Sequence, residues 1–241
     1  MAAAQDKNPL HGNKDAIDVG KASFRIFCSP CHGLGGAGGR APDLTTGQYS
    51  VGGADENLYR AIMNGVEGTE MPAYSERLDA EGVWRIVSYL RSIGGKPVPQ
   101  VSGDRANGEK IFWGKGGCGA CHRVAGKGGR LGPDLTASGR MRSLTYLKES
   151  LADPNATLTP GYNTITVVTK DGKTIQGVQK GYDAFSAQFM DAGENIRSYL
   201  REDVRSMKRE FRSMMPPVRL PEREMDDLLV YLVSLRGGSN R

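Results

Sequence analysis

Two copies of one pattern, Cys28-Ser29-Pro30-Cys31-His32 and Cys118-Gly119-Ala120-Cys121-His122, account for all four cysteines and two of the three histidines of this 241-residue chain. From the chain's own Cys and His frequencies, a single C-x-x-C-H would arise by accident with odds on the order of one in a thousand. Three chemistries compete for the pattern. In c-type haem attachment, two Cys sulfurs form thioethers with haem vinyl groups and the adjacent His ligates iron. In a structural zinc site, the two C-x-x-C pairs would share one metal. In a redox dithiol, the pair would follow a strand in a βαβ unit. Zinc does not need a His directly after each second Cys, and nothing in the sequence suggests that sites 90 residues apart converge. Neither motif has a βαβ context. Haem attachment is the reading that uses every motif residue. Cys28, Cys31, Cys118 and Cys121 are then thioether sulfurs, and His32 and His122 are proximal ligands. Two covalently bound haem c groups follow, with no disulfide.

Composition agrees with a chain built around large cofactors. Aromatics make up only 7%, thin for filling two cores, while 38% hydrophobic and 24% charged residues are ordinary for a soluble globular protein. No stretch approaches the ~18 consecutive apolar residues of a membrane span. The 33 glycines follow no G-X-Y period, and a net charge of +5 does not by itself imply nucleic acid. Neither a nucleic-acid partner nor a transmembrane span is expected, and the oligomeric state stays open. Haem attachment of this kind is completed outside the bacterial cytoplasm, so a periplasmic location and an exported precursor are expected. The opening Met1-Ala2-Ala3-Ala4-Gln5 lacks a charged n-region and an apolar h-region, so it reads as the start of a mature chain.

An internal repeat organises the rest. Gly20 and Phe24 correspond to Gly108 and Phe112 at an offset of 88, the cysteines at 90, and Pro42 to Pro133 at 91. Val83, Ile86, Val87, Tyr89, Leu90 and Ile93 correspond to Met225, Leu228, Leu229, Tyr231, Leu232 and Leu235 at an offset of 142. Each copy therefore predicts an entry helix, the motif, a Gly-rich loop reaching a Pro, and a closing amphipathic helix of 3.6-residue period that stops near Gly94-Gly95 or Gly237-Gly238. Between the copies, Gly95-Lys96-Pro97-Val98-Pro99-Gln100-Val101-Ser102-Gly103 reads as a stiff polar linker.

The rise in offset from 91 to 142 means that the second copy holds 51 extra residues between Thr136 and Leu220. Residues 162–169 are rich in β-branched side chains, Asp171-Gly172 is a hairpin turn signal, and residues 174–179 read as the returning strand. Residues 184–190 and 195–200 flank a weaker turn, giving a small antiparallel meander. Residues 144–151 read as a helix before it, ended by Asp153-Pro154. Leu200, Val204, Met207 and Phe211 recur at helical spacing, and the secondary structure of that stretch is left open.

With these parts in order, a resemblance is plain. Residues 15–95 resemble a small class I cytochrome c domain: CSPCH, then Ala41-Pro42-Asp43-Leu44-Thr45, then Met71-Pro72-Ala73-Tyr74, then the closing helix. Residues 103–241 resemble the cytochrome-c-like haem-binding domains of planctomycete and acidobacterial proteins. The likeness rests on Gly132-Pro133-Asp134-Leu135-Thr136, Asp153-Pro154-Asn155-Ala156, the Thr169-Lys170-Asp171-Gly172 turn and Ser213-Met214-Met215-Pro216. The resemblance implies a mainly α fold of two cytochrome c domains in tandem, the second with a small antiparallel β insertion. Residues 1–14 are then an extension, 15–95 the first domain, 96–102 a linker, and 103–241 the second domain, with the insertion at about 155–205.

The resemblance also implies site roles. The carbonyls of Pro42 and Pro133 accept the proximal His ring N–H, which fixes ring orientation. Only His11 remains as a further histidine, so the sixth ligand cannot be His on both irons, and the other usual soft donor is a Met thioether. The family pattern points to Met71 before Pro72, with Met63 as the alternative on a predicted helix over 57–64. In the second copy Met215 alone repeats the Met-Pro, and Met214 is the alternative. Tyr74, Trp84 and Trp113 read equally as haem-pocket or core residues, and His11 as a surface residue. The first 102 residues carry a net charge of −1 and the remainder +6, with a basic run of Arg197, Arg201, Arg205, Lys208, Arg209 and Arg212. That run reads as a solvated face with internal ion pairs, or as a docking face for an acidic partner. The expected function is a periplasmic dihaem electron carrier, not an enzyme, working between a dehydrogenase or respiratory donor and a downstream acceptor. Its partners would be a dehydrogenase, an oxidase or another cytochrome. The alternatives are a cytochrome subunit of a larger oxidoreductase, or a dihaem peroxidase, whose distal acid–base groups are not evident.

Overall fold

The computed structural model describes residues 7–97 and 100–237. Residues 1–6 of the expected extension, Val98 and Pro99 of the expected linker, and Gly238 lie outside the described residues. The chain divides into two compact units, residues 1–100 with 140–145 and residues 101–139 with 146–241.

In the first unit, α1 (Lys14–Phe27) starts where the Asn13 side chain accepts the Ala16 N–H at 2.9 Å. Ala16, Gly20 and Phe24, spaced by four, form its buried stripe. Pro30 then opens a separate single turn, α2 (Ser29–His32), where its missing N–H would have had no helical partner. α3 (Asp55–Asn64) turns Leu58 and Ile62 inward. α4 (Ala80–Ile93), capped by Asp79 on the Gly82 N–H at 2.8 Å, buries Val83, Ile86, Val87 and Leu90. Each such side chain contributes about 1.5–3 kcal/mol of hydrophobic stabilisation. α1 and α4 touch backbone to backbone at Gly20, where an added Cβ would lie 2.0 Å from the Arg85 carbonyl oxygen. The Phe24 and Tyr89 rings pack beside this crossing at 5.2 Å.

After the first unit's helices the chain order is α5 (Arg105–Trp113), a short ribbon of β1 (Arg123–Val124) and β2 (Lys127–Gly128), α6 (Ser138–Met141), α7 (Leu144–Ala152), a five-stranded sheet of β3 (Thr164–Thr169), β4 (Thr174–Tyr182), β5 (Ser186–Asp191), β6 (Ile196–Leu200) and β7 (Val204–Glu210), and α8 (Glu222–Ser234). α5 meets α8 in the second unit as α1 meets α4 in the first. A Cβ on Gly108 would lie 2.0 Å from the Asp227 carbonyl oxygen, and Phe112 packs on Tyr231 at 5.5 Å. The repeat offsets of 88 and 142 therefore recur as contacts. Asp227, 3% exposed, adds a lock of its own by accepting the Asp104 N–H at 2.6 Å and the Asn107 side-chain amide at 2.7 Å.

The sheet runs β6-β5-β4-β3-β7, every pair antiparallel. Gly172, with φ +89°, supplies the left-handed residue that the β3–β4 turn requires. The sheet is large enough that the chain is mixed α and β, which corrects the expectation of a mainly α fold. The stretch left open in the sequence is a single 3-10 turn, Arg201–Asp203, followed by β7. The helical spacing of Val204 and Met207 has a local cause. A bulge at Val168/Thr169 pairs Thr169 with Val204 and Val168 with Ser206, so Arg205 is the extra residue and Val204 and Met207, three apart, both face the core.

Candidate functional site

Each C-x-x-C-H folds as a single helical turn. The N–H groups of Cys31 and His32 donate to the Cys28 carbonyl at 3.1 and 2.9 Å, and those of Cys121 and His122 donate to Cys118 at the same distances. Residues i, i+3 and i+4 of such a turn share one face, so two thiols and an imidazole emerge together. The chain then returns to the second Cys: Ala41 N–H donates to Cys31 at 3.0 Å, and Gly132 N–H to Cys121 at 2.8 Å. This return sets His32 Nδ1 2.9 Å from the Pro42 carbonyl and His122 Nδ1 2.8 Å from the Pro133 carbonyl. A carbonyl only accepts, so Nδ1 carries the proton and Nε2 keeps its lone pair for a metal. Burial, opposed by the proline hydrogen bonds, holds both imidazoles below the ordinary histidine value, which favours the neutral ring that ligates. After each proline an Asp closes the next turn, Asp43 on the Thr45 N–H and Asp134 on the Thr136 N–H, both at 2.8 Å.

The donor set fits haem attachment better than its rivals. Burial, with the neighbouring Cys31 adding to it, pushes the Cys28 thiol up to about 12. Zinc binding and dithiol exchange both need thiolates. Among the described residues, no three His, Cys, Asp or Glu side chains cluster to hold a metal ion. No disulfide joins any of the four cysteines. Gly132 shows how closely the second loop fits its histidine: a Cβ there would lie 2.6 Å from His122 Cε1.

The methionines are held in a matching way. Met71 lies in the loop between α3 and α4, packed on the first core, and its N–H donates to Thr69 Oγ1 at 3.1 Å. Met215 N–H donates to Ser213 Oγ at 3.0 Å. In both cases the hydroxyl is two residues back and a Pro follows. Met214 packs instead in an apolar cluster with Leu131, Val178, Met190, Tyr162 and Cys121. Met63 ends α3 against the first core. Ser213 belongs to the S-x-M-P segment of the resemblance, whereas Thr69 was not singled out in the sequence and its T-x-M-P becomes visible once the copies are aligned.

The remaining candidates divide. Tyr74 is buried and donates to the Phe27 carbonyl at 2.8 Å, and Trp84 is buried and stacks on Tyr59 at 4.4 Å. Trp113 packs over Gly119 of the second motif, and His11 is exposed. The basic run is largely engaged locally: Arg197 pairs with Asp191 at 2.7 Å, Arg212 with Glu210 at 3.3 Å, and Arg201 and Arg205 donate to the Ala184 and Lys170 carbonyls. Glu194 and Asp227, which hold loops and helices in place, carried no sequence signal.

Residues 15–90 match the family model described as cytochrome c oxidase, cbb3-type, subunit III, and residues 105–188 match the model described as cytochrome c. The chain is 29% identical over 124 residues to the cbb3-type cytochrome c oxidase subunit FixP of Sinorhizobium medicae, covering 48% of this chain and 42% of that protein. It is 31% identical over 123 residues to the cbb3-type cytochrome c oxidase subunit CcoP of Rhodobacter capsulatus, covering 46% and 40%. The chain thus spans about two-fifths of the length of these relatives. A cytochrome cL crystal structure from Methylophaga aminisulfidivorans aligns over 36% of this chain and 59% of that one, at 26% identity and a TM-score of 0.35. The chain carries two cytochrome c-type domains in tandem, which implies two covalently bound haem c groups with iron.

Proposed function

We propose that this pair of cytochrome c-type domains is a two-haem relay that works outside the cytoplasm, passing single electrons between a donor and an acceptor redox protein as the electron-transfer part of an oxidoreductase assembly. The observation that carries the reading is the duplicated site: a thiol pair and an imidazole on one helical turn, a Pro carbonyl orienting the imidazole, and a Met-Pro whose Met N–H is tied two residues back. In this reading Cys28, Cys31, Cys118 and Cys121 hold the two haems through thioethers. His32 and His122 are the proximal ligands, positioned by Pro42 and Pro133. Met71 and Met215 complete the coordination. Bound haem supplies the one-electron couple, which a Met ligand shifts to higher potential. A His and a Met on each iron would fill the two positions that the porphyrin leaves, with no place for peroxide, which favours a carrier over a peroxidase. The names of the relatives, subunits of cbb3-type oxidases, support attachment to a respiratory complex over a freely diffusing carrier. The closer likeness of the second domain to planctomycete and acidobacterial haem-binding domains belongs to this proposal too, resting on its Asp153-Pro154-Asn155-Ala156 and Ser213-Met214-Met215-Pro216 segments. A redox-titrated optical spectrum of the full chain tests the reading. Two haems, each with a Met–iron charge-transfer band, and no peroxide consumption by the reduced protein are expected. Rapid peroxide turnover would sink it.

A further inference from the structure

The five-stranded sheet has an outer face, and that face is used. Val178 of β4 and Met190 of β5 are paired across the strands, are 3% and 6% exposed, and pack with Leu131 against Cys121 and Met214. Cys121 is the second sulfur of the second attachment motif, so these apolar side chains pack on the residue that would hold that edge of a bound haem. The sheet is anchored on both sides of this spot. At one end, Thr164 N–H donates to the Arg212 carbonyl at 3.1 Å, and Ser213 N–H donates to the Asn155 side chain at 2.9 Å, joining the sheet to the segment that carries Met214 and Met215. At the other end, the Glu194 carboxylate accepts the Arg130 backbone N–H at 2.5 Å and Arg130 Nε at 3.1 Å. Arg130 follows Gly129, whose own N–H donates to Gly119 inside the motif at 3.0 Å. Glu194 makes these bonds from φ +60°, one of two non-glycine residues with positive φ among the described residues. Glutamate has no intrinsic preference for that conformation, and strain of this kind persists only where surrounding contacts impose it. The first domain has no counterpart, because the 51 extra residues belong to the second copy alone.

We infer that the sheet is a latched cap over the Cys121 edge of the second haem, and that Glu194 is the positioning residue that keeps solvent and small redox reagents away from that edge. The inference rests on the two-haem reading above. Excluding water there disfavours the more highly charged ferric state, so the cap raises the potential of this haem and slows its outer-sphere exchange.

The test compares the full dihaem chain with three variants. Glu194→Gly also relieves the positive φ, so loss of the latch is not confounded with backbone strain. Glu194→Gln keeps one neutral acceptor for the Arg130 N–H. Val178→Ala thins the cap and leaves the latch intact. Optical redox titration gives both midpoints, and stopped-flow oxidation by ferricyanide gives one phase per haem. In Glu194→Gly one phase should quicken by about tenfold, the change in open population expected from losing a charge-assisted hydrogen bond, and one midpoint should fall. The other haem should keep its rate and midpoint. Glu194→Gln should fall between this and the parent, and Val178→Ala should move the same haem. If both haems respond alike, Glu194 is merely structural and the cap is overturned. Unchanged rates and midpoints in protein whose mass shows two haems overturn it as well. A parent mass showing fewer than two haems overturns the two-haem reading, and the cap falls with it.

Discussion

Replacing Gly20 with Ala tests whether the two terminal helices of the first domain are held at backbone contact. The added Cβ would lie 2.0 Å from the Arg85 carbonyl oxygen, 2.5 Å from its carbon and 3.1 Å from the Ile86 nitrogen. Ordinary contacts between such atoms begin near ~3.5 Å, so the first is short by more than ~1 Å. Both sides of the clash are backbone, and no rotamer relieves it. The helices must separate, which loosens the Phe24–Tyr89 packing beside the crossing. Overpacking of this kind costs about 1–3 kcal/mol, and a clash between backbones belongs at the upper end. Helix propensity acts in the opposite direction, since Ala is favoured over Gly by about 1 kcal/mol in a helix. The net expectation is a loss of about 1–2 kcal/mol in the first domain. For a domain of this size that corresponds to roughly 4–8 °C of Tm per kcal/mol. Thermal unfolding of the haem-loaded full chain, followed by circular dichroism and haem absorbance, measures it. Gly108→Ala should act in the same direction on the second domain, where the Cβ would lie 2.0 Å from the Asp227 oxygen. A rise in Tm for Gly20→Ala would mean that propensity alone governs the site, and would refute the close-contact argument.

Three further outcomes are expected. The intact mass should exceed that of the polypeptide by two haem groups that survive denaturation, and replacing Cys121 and Cys118 by Ala should remove one of them; a mass matching apoprotein plus zinc would refute this. Met215→Ala should abolish one of two Met–iron charge-transfer bands and lower one midpoint, while Met214→Ala should leave both bands; the reverse pattern would exchange the assignment. Asp55 is partly buried, which by itself raises its pKa, yet the hydrogen bonds from Arg91 at 2.6 Å and the Asn8 N–H at 3.1 Å hold the carboxyl below the usual carboxylate value. Because its native pKa is depressed, its stabilisation is complete above the unfolded value of about 3.9 and is lost as pH falls through the lower native one. Asp55→Asn should therefore destabilise the first domain at neutral pH and flatten its stability profile in that acid window. Parallel acid profiles for parent and variant would count against the ion pair.

The sequence by itself determined the chemistry and the repeat. C-x-x-C-H places its three donors on one face of a helical turn through local hydrogen bonding alone, so its meaning does not wait on the rest of the fold. The terminal helices were legible for a related reason: Gly20 with Phe24 and Gly108 with Phe112 lie on apolar stripes of fixed period, and the offsets that align them recur as contacts with Arg85 and Asp227. The β3–β4 hairpin was visible because its turn residues are local too. What only the tertiary structure decided depends on partners distant in sequence. β7 took a helical-looking spacing because Arg205 bulges out of it and shifts its pairing with β3 by one residue, a register that no window on β7 alone contains. The hold on Met215, unlike Met214, became visible in its hydrogen bond to Ser213. Glu194 sits 64 residues from the Arg130 it grips, in a conformation that its own residue type disfavours. Local propensity is written along the chain, whereas a long-range contact is set by the free energy of the whole packed unit, which no single segment carries.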